Sequence, residues 1–113
     1  MDQDQVERLT INYQRLQDQL QSLNMQKEQM QSQKEEYKIA EEELSKASGR
    51  VYVSVGGAII ESTKEEAIKN VKDKQEFIAM RLTIIEKQIE ESSRREAEMK
   101  KQINDILKAN KPQ

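Results

Sequence analysis

The chain has 113 residues, of which charged and hydrophobic types each make up 35%, aromatics 4%, and the mean hydropathy is −0.98. A single Phe and no Trp exclude a conventional globular core at this one-domain length and favour long helices or coiled coil. With no Cys and no His, disulfides, thiolate zinc sites, thiol chemistry and the commonest general base fall away, and 19 basic against 21 acidic residues (net −2, signs interspersed) lack the basic excess of a nucleic-acid surface.

The opening residues, MDQDQVERL, are acidic and polar and do not resemble a signal peptide. No stretch approaches the roughly 20 apolar residues of a membrane span, so no membrane contact is expected. Residues 3–47 hold neither Gly nor Pro, and a heptad runs through them. With Val6 at position a, the seam is Val6, Leu9, Tyr13, Leu16, Leu20, Leu23, Lys27, Met30, Lys34, Tyr37, Glu41 and Leu44. Nine of these twelve are apolar or Tyr, which random placement of a 35% apolar composition does not produce. The repeat decides for helix against disorder over residues 3–48, and Gly49 supplies the left-handed residue that ends it.

A β-rich island follows over residues 50–62. Val51, Val53 and Val55 alternate with Arg50, Tyr52 and Ser54, the period of a half-buried strand. Gly56-Gly57 suits a two-residue turn with positive φ at both positions. Pairing Val55 with Ala58 sets Val53 opposite Ile60 and Tyr52 opposite Glu61. One face is then Val51, Val53, Val55, Ala58 and Ile60, with Tyr52, Ser54 and Ile59 on the other.

The second helix is expected over residues 63–110. Ser62 with Glu65, and Thr63 with Glu66, each fit a capping box at its start, and Pro112 follows its end. Its seam is Ile68, Val71, Gln75, Ile78, Leu82, Ile85, Ile89, Ser92, Glu96, Met99, Ile103 and Ile106. Joined by a short turn, the two helices become antiparallel neighbours. Folding about the hairpin centre sets Leu44 against Ile68, Met30 against Leu82, Leu16 against Glu96 and Val6 against Ile106. Every polar seam residue then faces an apolar one, as expected of two helices that pair within one chain.

The fold class is therefore mainly α: a long antiparallel coiled-coil hairpin with one β-hairpin at the helix junction. A lone two-stranded ribbon is marginal in water, and its edges carry unpaired backbone groups. Either it folds down onto its own helices, or it joins ribbons of other chains in an intersubunit β-barrel that has no edges. The second expectation makes Val51, Val53, Val55, Gly56, Gly57, Ala58, Ile59 and Ile60 the assembly residues.

Helix, VYVSVGGAIIESTKEEAI, helix resembles the β class of the prefoldin family, over nearly the whole chain. The most specific part is Val51-Tyr52-x-x-Val55-Gly56, a short strand at Ala58–Ile60, then Thr63-Lys64-Glu65-Glu66 opening the second helix. The single hairpin matches the β class, since α-class subunits carry two. A Gln-rich first helix, with ten Gln among the first 33 residues, fits as well. The resemblance implies one prefoldin-like domain over residues 1–113, in a cytoplasmic hexamer with α-class and other β-class subunits. It implies a molecular chaperone, not an enzyme, that needs no cofactor or metal. Such a hexamer captures unfolded client polypeptides at its coiled-coil tips and passes them to a group II chaperonin. The competing reading is a structural coiled-coil scaffold that forms a homo-oligomer and binds no client.

At the tip where both termini lie, the client-binding candidates are Val6, Leu9, Tyr13, Leu16, Met99, Ile103, Ile106 and Leu107. As seam residues they are buried between the helices; where the last turns fray, they become an adaptable apolar surface. Ile11, Met25 and Ile39 lie off the seam, and Phe77, Met80 and Ile84 form an outer stripe open to a neighbouring subunit or a client. Runs such as Glu41-Glu42-Glu43, Glu90-Glu91 and Arg94-Arg95 read as solvated faces. Lys100, Lys101, Lys108 and Lys111 near the second helix end favour solubility and the helix dipole over docking to an acidic surface.

Overall fold

The computed structural model describes residues 3–109. Four elements follow one another: α1 (Gln3–Lys46), β1 (Val51–Val55), β2 (Ala58–Ser62) and α2 (Lys64–Ala109). The expected helix end at residue 110, with Lys111 and Pro112, lies outside the described residues.

The ends of the elements have local causes. The Ala47 N–H donates to the Leu44 carbonyl at 3.2 Å, a tightened final turn, and Gly49 at φ 90° then turns the chain out of the helix two residues before the expected limit. Of the two capping boxes the sequence offers, Thr63–Glu66 supplies the cap. The Thr63 hydroxyl accepts the Glu66 N–H at 3.2 Å and its carbonyl accepts the Ala67 N–H at 3.0 Å. The Ser62 hydroxyl instead donates to the Thr63 carbonyl at 3.2 Å.

The chain divides into two compact units, to which α1 and α2 both contribute: residues 28–83, and residues 3–27 with 84–109. In the unit of residues 28–83, Met30, Ile78 and Leu82 are buried, and Tyr37, Glu41, Leu44, Ile68, Val71 and Gln75 are half-buried. Lys34 is the one assigned seam position left exposed; its long stem can leave the seam and keep the ammonium in water. Polar side chains tie the helices beside this core. The Gln75 amide donates to Glu41 at 3.0 Å, Lys72 lies 3.8 Å from the same carboxylate, and the Lys64 ammonium donates to the Ser45 carbonyl at 2.8 Å. Lys74 stands 5.9 Å from the centre of the Tyr37 ring, a cation–π distance.

In the other unit, Leu16, Leu20, Leu23, Ile85, Ser92 and Ile106 are buried, and the remaining seam positions are half-buried. The Tyr13 hydroxyl donates across the seam to Glu96 at 3.3 Å. Among the described residues no fully buried side-chain N or O lacks a partner. Each buried Leu or Ile contributes about 1.5–3 kcal/mol of apolar burial, so these short runs carry much of each unit's stability.

Candidate functional site

Two regions hold the residues singled out from the sequence. The first is the ribbon in the unit of residues 28–83. β1 and β2 pair antiparallel in the register Val51↔Ser62, Tyr52↔Glu61, Val53↔Ile60, Ser54↔Ile59 and Val55↔Ala58. Gly56 at φ 56° and Gly57 at φ 87° form the two-residue turn that matches strand twist. Added Cβ atoms there would meet nothing within 4 Å, so it is the backbone conformation, not space, that calls for Gly.

Directly paired residues share a face, which puts Val51, Val53, Val55, Ala58 and Ile60 together. Cover on that face runs out along the ribbon: Val51 is 7% exposed, Val53 half-buried, Ile60 49% and Val55 58% exposed. Val51 and Val53 line a groove of about 680 Å³ with Tyr37, Leu44, Ala67 and Val71. The opposite face carries Ile59, 77% exposed, and Tyr52, with an exposed Arg50–Glu61 ion pair at 3.4 Å beside them. Each strand has a single neighbour, so both outer edges of the ribbon are unpaired among the described residues. Its base rests on its own helices, and exposure rises along it toward the Gly56-Gly57 turn.

The second region is the end of the unit that holds residues 3–27 and 84–109. Here Val6, Leu9, Tyr13, Met99 and Ile103 are half-buried, Leu16 and Ile106 are buried, and Leu107 is 53% exposed. The structure thus brings the tip candidates together as a seam, with Leu107 beside it. Leu9 and Ile106 also form the apolar floor of an open groove of about 520 Å³. Its rim is polar: Gln5, Asn12 and Gln102, with Arg8 on one wall and Asp105 on the other. Tyr13 closes the next layer. Its phenol is held above the ordinary value of 10.0, first by desolvation, then by the negative charge of Glu96 and the hydrogen bond to it, with a Gln17 hydrogen bond acting the other way.

Reading apolar residues alone misses two features. The amide rim of the groove is one; its signal was the recurrence of Gln5 and Asn12 at heptad position g. The other is Ala67, 1% exposed and the most buried core residue, with half-buried Ala40 and Ala47 also at position g. Small residues there let the helices and ribbon approach. Ile11, Met25, Ile39, Phe77, Met80 and Ile84 are all exposed, and Arg81 stacks 5.8 Å from the Phe77 ring. The charge runs lie in solvent except at Glu41, which turns into the seam to meet Gln75, and Arg94–Glu90 and Arg95–Glu91 pair at 3.8 Å. Among the described residues no cluster of His, Cys, Asp or Glu could hold a metal ion, and no helix is long and apolar enough to cross a membrane.

This arrangement has close counterparts. A prefoldin β subunit from Thermococcus strain KS-1 superposes with a TM-score of 0.84 at 30% identity, covering 96% of this chain and 95% of that one. A second subunit from the same strain, prefoldin β2, shares the fold at TM-score 0.53 and 21% identity, covering 85% and 97%. The prefoldin β subunit of Methanosarcina mazei is 37% identical over 57 residues, which is 50% of this chain and 49% of that protein. The chain spans about half the length of the curated relatives it matches. A family model described as "Prefoldin subunit" matches residues 7–110. With that match over nearly its full length and the single ribbon between two long helices, the chain belongs to the prefoldin subunit family, as a member of its β class.

Proposed function

We propose that this chain is one subunit of a hexameric, ATP-independent chaperone of the cytoplasm. Its ribbon joins those of α-class and other β-class subunits, and the tip of its coiled coil holds unfolded polypeptides for delivery to a group II chaperonin. The observation that carries the reading is the uncovered ribbon: Val55, Ile59 and Ile60 are exposed on a two-stranded sheet with open edges. Apolar side chains in water and unpaired strand edges both favour a neighbour that supplies strands, and a closed barrel satisfies both at once. Capture needs no nucleotide. Half-buried Val6, Leu9 and Ile103 sit in the outer two turns of their helices, where opening costs least, with Met99 one turn further in, and exposed Leu107 extends that surface. Contacts of this kind are non-directional and weak one by one, which suits varied clients and reversible release.

Native mass measurement with and without an α-class partner tests the assembly. The expected result is a hexamer in the mixture; a homodimer or homotetramer indifferent to the partner overturns it in favour of a scaffold. Replacing Leu9 and Leu107 together by Ser tests capture. Suppression of client aggregation should fall while the mass of the assembly is unchanged, and full suppression by the variant removes the tip as the site.

A further inference from the structure

We infer that the groove over Leu9 and Ile106 recognises the peptide backbone of an extended client segment through the side-chain amides on its rim. This rests on the tip-capture reading above and adds to it the chemistry of what is bound. The groove pairs an apolar floor with the amides of Asn12 and Gln102, and at about 520 Å³ it falls within the size range of ligand sites.

A side chain entering over Leu9 and Ile106 carries its flanking peptide groups out of water. Those N–H and C=O groups need partners, because leaving a desolvated polar group unpaired opposes binding. A carboxamide offers an acceptor and two donors on one planar group, so it can pair with either half of a peptide unit. Charged side chains cannot do this: a carboxylate only accepts and an ammonium only donates. The charges that flank the groove, Arg8 and Asp105, are one of each sign, so the walls are neutral in sum and complement a neutral, dipolar strand better than an ionic ligand.

Asn12 on α1 and Gln102 on α2 line the groove from its two sides, so an extended segment lying between them meets an amide from each helix. An amide rim of this kind recognises what all unfolded chains share, whatever their side chains.

The test uses the assembled protein, wild type and N12A/Q102A, with two probes: a short alternating Leu–Ala peptide with blocked ends, and the same peptide N-methylated at alternate peptide bonds. The wild type should bind the unmethylated peptide about three- to tenfold more tightly, the effect of one or two net hydrogen bonds. In N12A/Q102A that preference should collapse, because the unmethylated peptide loses more affinity than the methylated one, whose carbonyls still accept from the wild-type amides. Leu9→Ser should instead weaken both peptides alike. A double variant that keeps the full preference overturns the backbone-pairing inference and leaves tip capture standing. If the wild type binds neither peptide, tip capture fails and the inference goes with it.

Discussion

Replacing Val55 and Ile60 together by Lys separates assembly from folding. Both residues are largely open in the single chain, 58% and 49% exposed, and they share one face of the ribbon. Substitutions in water at such positions usually change stability by no more than about 0.5 kcal/mol each. The isolated chain should therefore keep its helical circular dichroism and its melting temperature. In a barrel the exposed half of each side chain is covered. At about 1.5–3 kcal/mol for full burial of a Val or Ile, half of that at two positions amounts to about 1.5–3 kcal/mol per chain. This corresponds to a loss of about 10- to 150-fold in association, before any cost of desolvating two ammonium groups. Sedimentation of V55K/I60K with an α-class partner should show dissociation at concentrations where the wild type remains assembled. An unchanged hexamer would refute the argument, since it would mean that this face is not covered in the assembly. A molten circular dichroism signal would refute it differently, by showing that the ribbon tip supports the helices.

Other expectations concern the chain itself. Leu82→Ala, at a seam position only 6% exposed, should cost about 2–5 kcal/mol in thermal or denaturant unfolding, whereas Leu107→Ala should stay within about 0.5 kcal/mol. Thr63→Ala removes the hydroxyl that accepts the Glu66 N–H and should cost about 1 kcal/mol, while Ser62→Ala, whose hydroxyl caps no helical N–H, should cost much less. The Tyr13 phenol is raised above 10.0, so the folded state holds that proton more tightly than the unfolded chain does. Its contribution is fully present below pH 10.0 and is lost as pH rises through the folded value; melts across that window should show an alkaline decline that Tyr13→Phe reduces.

Much of this molecule could be read from spacing. The heptads placed the seam because in a slender helical pair a position is covered only if it faces the partner, and a 3.5-residue period marks those positions directly. Glu41, Gln75 and Glu96, polar and assigned to the seam, are half-buried and hydrogen-bonded across it. Lys34 departs because nothing forces a long, flexible cation to remain in the seam. The ribbon register followed from the double glycine, since a two-residue turn leaves one pairing. What could not be read was how much of the ribbon its own helices cover. That depends on Ala67, Ala40 and Ala47, whose small side chains carry no hydrophobic signal but set how closely backbones approach. The groove rim was hidden for a similar reason: Gln5, Asn12 and Gln102 are ordinary exposed amides until the fold places them around Leu9 and Ile106.

The same amides bear on how the helices choose partners. In coiled coils, charges at positions e and g commonly decide which helices pair. Along α1 from residue 5 to residue 33 those columns hold Gln5, Asn12, Gln19, Gln26 and Gln33 at g, and Thr10, Gln17, Asn24 and Gln31 at e, all exposed and none charged. Charge therefore gives α1 little means of preferring α2 over a helix of another chain. Preference comes from the tether instead: the connection from Ala47 to Thr63 holds α2 near α1, and a short link of this kind gives an effective concentration in the millimolar range. Free chains at micromolar concentration cannot compete with that unless the link is broken. Cutting the ribbon at Gly56-Gly57 should then make the helix pair concentration-dependent and open to exchange with added α1 peptide. Persistence of the original pair at high dilution would show that the seam itself encodes the choice.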